Sequence, residues 1–287
     1  MRFFPHKILY NIFFRRLSIY ILKSCVIIKG KNKERGMATF RPNVIDHRWL
    51  FEKPIAHRGL HGPGIIENSL TAFEAAIQKG YNIEIDVRIL ADGEVVVFHD
   101  ATLERIFGEN IELHDLTYEQ LSRYTLPFVN EKIPTFKQVL DYINGRTGLL
   151  IEIKTYFRTK IGETVLHHLE NYNGNYAIQS FSPTLLSWYR KHNPVIPLGV
   201  LSNDSVNFAL YWANKIRPDF ISYQVSNLND RRAILLRAKT PKLLAWVVSN
   251  PILEERARNY AENIIFEGYL PDLDARSHIH LTMTRLI

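Results

Sequence analysis

The sequence predicts a (β/α)8 TIM barrel with a small insertion after its second strand, and three observations carry that prediction. From Met37 onward, eight short apolar strands alternate with helical stretches over a length at which a single barrel closes. No Gly-x-Gly-x-x-Gly turn marks the dinucleotide site of an open doubly wound sheet. Acids and bases fall in pairs at three predicted strand ends, His57 with Arg58, Glu84 with Asp86, and Glu152 with Lys154. Barrel chemistry gathers at the C-terminal ends of strands, so position and residue type agree.

The elements follow in order. An apolar run over 54–58 is the first strand; after a Gly-rich loop over 59–64, a helix is expected over 69–79, closed by Gly80. The second strand, 82–88, alternates Ile83, Ile85 and Val87 on one face with Glu84, Asp86 and Arg88 on the other. Asp92-Gly93 turns the chain into 95–100. The segment over about 100–134 breaks the rhythm and reads as an insertion, with its own short helix over 117–124. Thr117 with Gln120, and Thr135 with Gln138, stand at capping-box spacing, the latter opening a helix to 143 that Asn144-Gly145 ends. The remaining strands are expected at 149–154, 177–181, 198–201, 220–223, 243–248 and 264–266. Helices are expected to begin near Pro183, Ser205, Asn229 and Pro251, with another after Thr159.

A net charge of +7 raises the question of nucleic-acid or anionic-membrane binding. Residues 1–36 carry nine Lys or Arg against the single acid Glu34, which leaves −1 for everything that follows. The body is therefore not basic, and no nucleic-acid partner is expected. Arg15, Arg16 and Lys23 interrupt the leader's apolar runs, which fits neither a spanning helix nor a signal peptide. The expectation is a disordered or untranslated leader over 1–36, with Met37 as the start and one domain over 37–287; a basic segment lying on a membrane surface is the alternative. The single cysteine, Cys25, excludes an internal disulfide framework and suits a bacterial cytoplasm.

Three carboxylates converging on one barrel mouth, Glu84, Asp86 and Glu152, repel unless a cation or protons intervene. Oxygen donors without thiolate favour Mg²⁺ or Ca²⁺. The alternative is a salt-bridge layer in which Glu84 and Glu152 pair with Arg88 and Lys154. His57 and His99, each beside a charged neighbour, suit proton transfer near neutral pH as one base and one acid. Arg58 and Lys154 suit a substrate anion, and a guanidinium fork matches phosphate. Together these are the requirements of phosphate-ester hydrolysis. Trp246 and Phe181, at strand ends, either line a pocket or fill the core; Trp246 is assigned to the substrate pocket. His61 is expected to be an exposed loop residue, and no Gly-x-Ser-x-Gly elbow supports a serine hydrolase.

The ordered set His57-Arg58-Gly59, Glu67-Asn68-Ser69, Glu84-x-Asp86-Val87, Asp92-Gly93, Val97-Phe98-His99-Asp100, Thr102-Leu103-x-Arg105, Ile133-Pro134-Thr135-Phe136 and Glu152-Ile153-Lys154 resembles the glycerophosphodiester phosphodiesterase family over nearly everything after Lys53. The resemblance implies a divalent cation on Glu84, Asp86 and Glu152, catalytic His57 and His99, phosphate contacts from Arg58 and Lys154, and supporting roles for Glu67 and Asn68. It also implies attack by the glycerol 2-hydroxyl on phosphorus, giving a cyclic phosphate that water opens to glycerol 3-phosphate. Two departures stand out. Ile106 replaces a frequent Thr, and residues 266–271 replace the Thr-Asp-x-Pro that usually follows the last strand, which bears on the leaving-alcohol pocket. The expected substrate is a small glycerophosphodiester. Lysophospholipase D-like action on lysophospholipids and a non-catalytic ligand-binding barrel are the alternatives.

Overall fold

Alternation of side chains builds the barrel wall from the inside out. The computed structural model describes residues 47–155, 160–203, 205–239 and 242–273. The expected leader over 1–36 and the start at Met37 lie outside the described residues. The strands are β1 (Ile55–Ala56), β2 (Asn82–Ile89), β3 (Val95–Val97), β4 (Leu149–Ile153), β5 (Tyr176–Ser180), β6 (Leu198–Ser202), β7 (Phe220–Gln224), β8 (Leu243–Val248) and β9 (Asn263–Phe266). The α-helices are α1 (Leu70–Gln78), α2 (Glu104–Phe107), α3 (Tyr118–Leu121), α4 (Phe136–Ile143), α5 (Lys160–Leu169), α6 (Pro183–His192), α7 (Val206–Ile216), α8 (Asp230–Arg237) and α9 (Pro251–Arg258). None of the described helices is long and apolar enough to cross a membrane.

All strands except β3 pair in parallel, and β1 pairs with both β2 and β9, which closes an eight-stranded barrel. The eight strands read from the sequence are these eight. The ninth, β3, is the return arm of the hairpin turned at Asp92-Gly93 and lies antiparallel on β2. On β4, Leu149, Ile151 and Ile153 face the helices, whereas Leu150 joins Ile55, Ala177, Phe220, Leu244 and Ile265 inside the barrel. Gly199 makes room for this interior layer, since a Cβ there would lie 2.1 Å from the Phe220 ring.

A 3-10 turn, Arg48–Phe51, packs Trp49 and Leu50 against the same interior cluster. Two buried asparagines on barrel strands hold it. Asn82 Nδ2 donates to the Trp49 carbonyl at 3.0 Å, and Asn263 Nδ2 donates to that of Leu50 at 2.8 Å. Sequence reading began the fold at 54 and missed this segment, because four residues are too few to show a period.

Both capping boxes form as the spacing predicts, on Thr117 with Gln120 and Thr135 with Gln138. The insertion helix is shorter than expected, Tyr118–Leu121 instead of 117–124, and the segment closes over its own cluster of Leu103, Leu113, Leu121, Leu126 and Ile133. Glu131 ties it down: its carboxylate accepts from the Leu70 and Thr71 amides at 2.8 and 3.1 Å, the open N–H groups of α1.

Candidate active site

The turn after β1 places the first site residues. Arg58 and Gly59 both adopt the left-handed region, at φ of 56° and 80°. At Gly59 a Cβ would meet the Ala72 backbone at 2.9 Å, so the residue is glycine for space as well as for φ. The Arg58 amide then donates to Glu84 Oε2 at 3.0 Å, joining the loop to β2. Asn68, also left-handed and buried, donates from Nδ2 to Asp86 Oδ2 at 3.0 Å.

On the barrel's inner face Asp86 lies directly beside Glu152 in the β2–β4 register, with Glu84 one inward position below Asp86. The three side chains are buried, and each brings an oxygen to within 4.8 Å of the others. Lys154 Nζ reaches Glu152 Oε1 at 2.7 Å and Asp86 Oδ1 at 3.1 Å. One half of the salt-bridge alternative, Glu152 with Lys154, is therefore present, while Arg88 Nε donates to the His99 carbonyl at 2.8 Å. Burial pushes Glu84 well above the carboxylate range, reinforced by Asp86 and Glu152, and it lifts Glu152 to about 7 against the pull of Lys154. Burial acts the same way on Asp86, but there Lys154 and Arg58 outweigh it and hold the carboxyl well below its usual range.

Glu84 Oε1 is buried without a hydrogen-bond partner, and Asp86 Oδ1 accepts no aligned hydrogen bond beyond its 3.1 Å ion pair with Lys154; Arg58 Nε and Trp246 Nε1 are likewise buried without an aligned partner. The Arg58 Nε lies 3.2 Å from Asp86 Oδ2, near enough for ion pairing but not aligned as a hydrogen bond. Unsatisfied acceptors on a cluster of three acids are what a hard divalent cation takes up, so the donor set fits such an ion.

Each predicted catalytic histidine has one ring nitrogen beside a carboxylate. His99, just past β3, places Nδ1 2.7 Å from Asp100 Oδ1, and Arg105 Nε fixes the other Asp100 oxygen at 2.7 Å. Burial lowers the His99 pKa, with Lys154 and Arg58 adding to it against Asp86. His57, just past β1, places Nδ1 2.7 Å from Glu267 Oε2. Glu67 accepts from Arg58 at 2.8 Å and from both terminal nitrogens of Arg105 at 3.1 and 2.6 Å. Its place is between two guanidinium groups. Trp246 stands edge-on to Phe181 with ring centroids 5.8 Å apart.

The model of the Glycerophosphoryl diester phosphodiesterase family matches residues 57–266, the span that carries this geometry. The chain belongs to that family. It is a phosphoric diester hydrolase of the glycerophosphodiester phosphodiesterase class. The glycerophosphodiester phosphodiesterase of Bacillus altitudinis is 32% identical over 168 residues, covering 54% of this chain and 68% of that one. Lysophospholipase D GDPD1 of Rattus norvegicus is 31% identical over 61% of this chain, which spans about half (49%) of that protein's length. The structure of an Oleispira antarctica phosphodiesterase in complex with the product sn-glycerol-3-phosphate shares the fold at a TM-score of 0.69 and 20% identity, covering 82% of this chain and 99% of that one.

Within this glycerophosphodiester phosphodiesterase, the structure adds two residues that the sequence did not bring to the mouth. Glu267 follows the last barrel strand, in the stretch that departs from the family pattern, and its carboxylate meets His57. The hydrogen bond from His57 and the nearby His61 hold its pKa well below the usual range. A carboxyl at a strand end was the available signal, the same one that marked Glu84 and Glu152. His61 is half-buried instead of exposed, with Nε2 3.7 Å from Glu267 Oε2.

Proposed function

We propose that the chain hydrolyses small glycerophosphodiesters to glycerol 3-phosphate and an alcohol, with His57 and His99 as the proton carriers and a divalent cation on Glu84, Asp86 and Glu152. The observation that carries the reading is the pairing of each imidazole Nδ1 with its own carboxylate at 2.7 Å. An Nδ1–H donated to Glu267 or Asp100 leaves the Nε2 lone pair free to accept a proton, and the carboxylate stabilises the imidazolium that results.

One imidazole takes the proton of the glycerol 2-hydroxyl as its oxygen attacks phosphorus, and the other gives a proton to the departing alkoxide as the P–O bond breaks. A cyclic phosphate and a neutral alcohol result. In the second half the roles exchange: water is deprotonated, attacks phosphorus, and the ring oxygen leaves with the other proton. Arg58 and Lys154 supply positive charge to the phosphate oxygens, and Trp246 Nε1 supplies a buried donor at the mouth. When bound, the cation lowers the pKa of the attacking hydroxyl and offsets phosphate charge. Glu67 and Asn68 act through others, on Arg58 and Asp86.

The kinship with a lysophospholipase D favours a second reading, in which the diester keeps an acyl chain. Glycerol 3-phosphate release from glycerophosphocholine, measured with Mg²⁺, Ca²⁺ or excess chelator, tests the first. The expected result is cation-dependent release that His57→Ala and His99→Ala each abolish. Turnover of micellar lysophosphatidylcholine with none of the water-soluble diester would replace it with the second. We also place the enzyme in a bacterial cytoplasm, consistent with its lone Cys25, and cell fractionation checks that.

A further inference from the structure

A second group of donors lies at the same mouth, and diester hydrolysis does not require it as a set. His57, His61 and Glu267 each bring one ligand-type atom to within 4.8 Å of the others. Glu267 Oε2 is 2.7 Å from His57 Nδ1 and 3.7 Å from His61 Nε2. His61 Nε2 is buried with no hydrogen-bond partner. We propose that these three residues form a second cation site, selective for a borderline ion of the Zn²⁺ class, whose occupancy stops turnover by capturing His57.

Donor chemistry separates this site from the acid cluster. Two imidazoles and one carboxylate are the donors that Zn²⁺ and Co²⁺ prefer, whereas the all-oxygen set of Glu84, Asp86 and Glu152 suits Mg²⁺ or Ca²⁺. Distances agree. Ligands about 2.1 Å from a tetrahedral zinc stand roughly 3.4 Å from one another. The His61–Glu267 spacing is already near that value. The His57–Glu267 spacing needs to open by less than about 1 Å on that scale, a small swing of a Glu267 side chain that is itself 35% exposed.

The scaffold under the two histidines is fixed in advance. His57 and His61 flank the left-handed turn at Arg58 and Gly59, and the Leu60 amide is bound to the Ala72 carbonyl at 2.9 Å. Gly62 and Ile65 exchange backbone hydrogen bonds at 3.0 Å, closing the loop beyond His61. Two ligands four residues apart are thereby held on one turn, and the third comes from the end of β9.

The effect on turnover rests on the reading of His57 as a proton carrier. A cation that takes the Nδ1 lone pair displaces the hydrogen bond to Glu267 and leaves the ring's remaining proton on Nε2. His57 then has no lone pair with which to accept a proton, and the reaction stops. No bond to substrate is needed for this inhibition.

The test uses the full chain saturated with Mg²⁺, titrated with Co²⁺ as a visible probe and with Zn²⁺ as inhibitor, for wild type, His61→Ala and His61→Gln. The expected result is one equivalent of Co²⁺ with the visible absorption of a four- or five-coordinate nitrogen-ligated ion, resistant to Mg²⁺ and displaced by Zn²⁺. Zn²⁺ then blocks glycerol 3-phosphate release, and either His61 variant raises the half-inhibiting concentration by at least about tenfold while Mg²⁺-supported turnover persists. Identical Co²⁺ spectra and identical Zn²⁺ inhibition in wild type and both variants overturn the site. Binding that depends on His61 but does not slow turnover overturns the switch. Because His57→Ala separately reports proton transfer, failure of the cation site and failure of the catalytic reading are distinguishable.

Discussion

Glu267→Gln isolates the charge behind His57, and Glu267→Ala removes charge and hydrogen bond together. In the folded enzyme the carboxylate lies 2.7 Å from Nδ1, with the imidazole 14% exposed and the carboxylate 35% exposed. A hydrogen bond to a charged group contributes about 1.5–3 kcal/mol, and the exposure of Glu267 argues for the lower end. On the proposed role of His57 as a proton carrier, the contribution grows as the imidazolium forms, so it belongs to the transition state and acts on kcat. Gln retains an oxygen that accepts from Nδ1–H and loses only the charge, so about 1.5 kcal/mol, or roughly tenfold in kcat, is expected. Ala also frees the ring to rotate and change tautomer, so a fall of about 100-fold is expected. The assay is glycerol 3-phosphate release at saturating substrate and Mg²⁺, with thermal melting alongside to show an intact fold. An Ala variant within twofold of wild type would refute the orienting role and reduce Glu267 to a surface partner.

Arg105→Ala is expected to lower kcat several-fold while leaving the melting temperature within a few degrees, since Arg105 is half-exposed yet holds both Glu67 and Asp100; parallel kinetics and melting read this. With chelator present, Glu152 has a folded pKa of about 7 against an ordinary value of 4.5, so the folded chain keeps a proton that the unfolded chain has released. Stability of the cation-free enzyme should therefore fall as pH rises from about 4.5 to 7, and a divalent cation should flatten the slope, as melting across that range will show. Gly199→Val drives a side chain into the Phe220 ring inside the barrel and should cost at least about 1–3 kcal/mol, measured by urea unfolding.

The fold was legible because its signals are local and repeated. Alternation on β2 and β4, serine and asparagine caps before the helices and glycine or asparagine closing several of them each need a window of only a few residues. Ser69, Ser182, Ser205, Asn229 and Asn250 all accept a hydrogen bond from the first turn of the helix they precede. The carboxylate cluster was legible for the same reason, as strand alternation puts Glu84 and Asp86 on one face and the barrel brings Glu152 alongside. What escaped is non-local. Glu267 meets His57 across 210 residues, and Glu131 caps α1 across about 60, neither with any periodic trace in the chain. His61 was misread on the same ground, since a Gly-rich loop gives no sign of which side chain turns inward.

The ion pairs at the mouth show why the insertion belongs to the site. From Asp86 the contacts run through Arg58, Glu67 and Arg105 to Asp100, alternating in sign at every step, and Asp100 then meets the His99 imidazole. Asp86 and Arg58 come from the barrel, Glu67 from the loop before α1, and Arg105 from α2 in the insertion. Neither Arg58 nor Arg105 is therefore a free arm, and their orientation is set by carboxylates on two sides. His99 inherits its position from both ends, through Asp100 in this chain of charges and through the Arg88 bond to its carbonyl. An insertion that merely covered the barrel could be loosened without moving His99. Here Arg105, on the short helix of the insertion, holds the acid that meets the His99 imidazole, so loosening that helix is expected to shift His99, the proton carrier we propose.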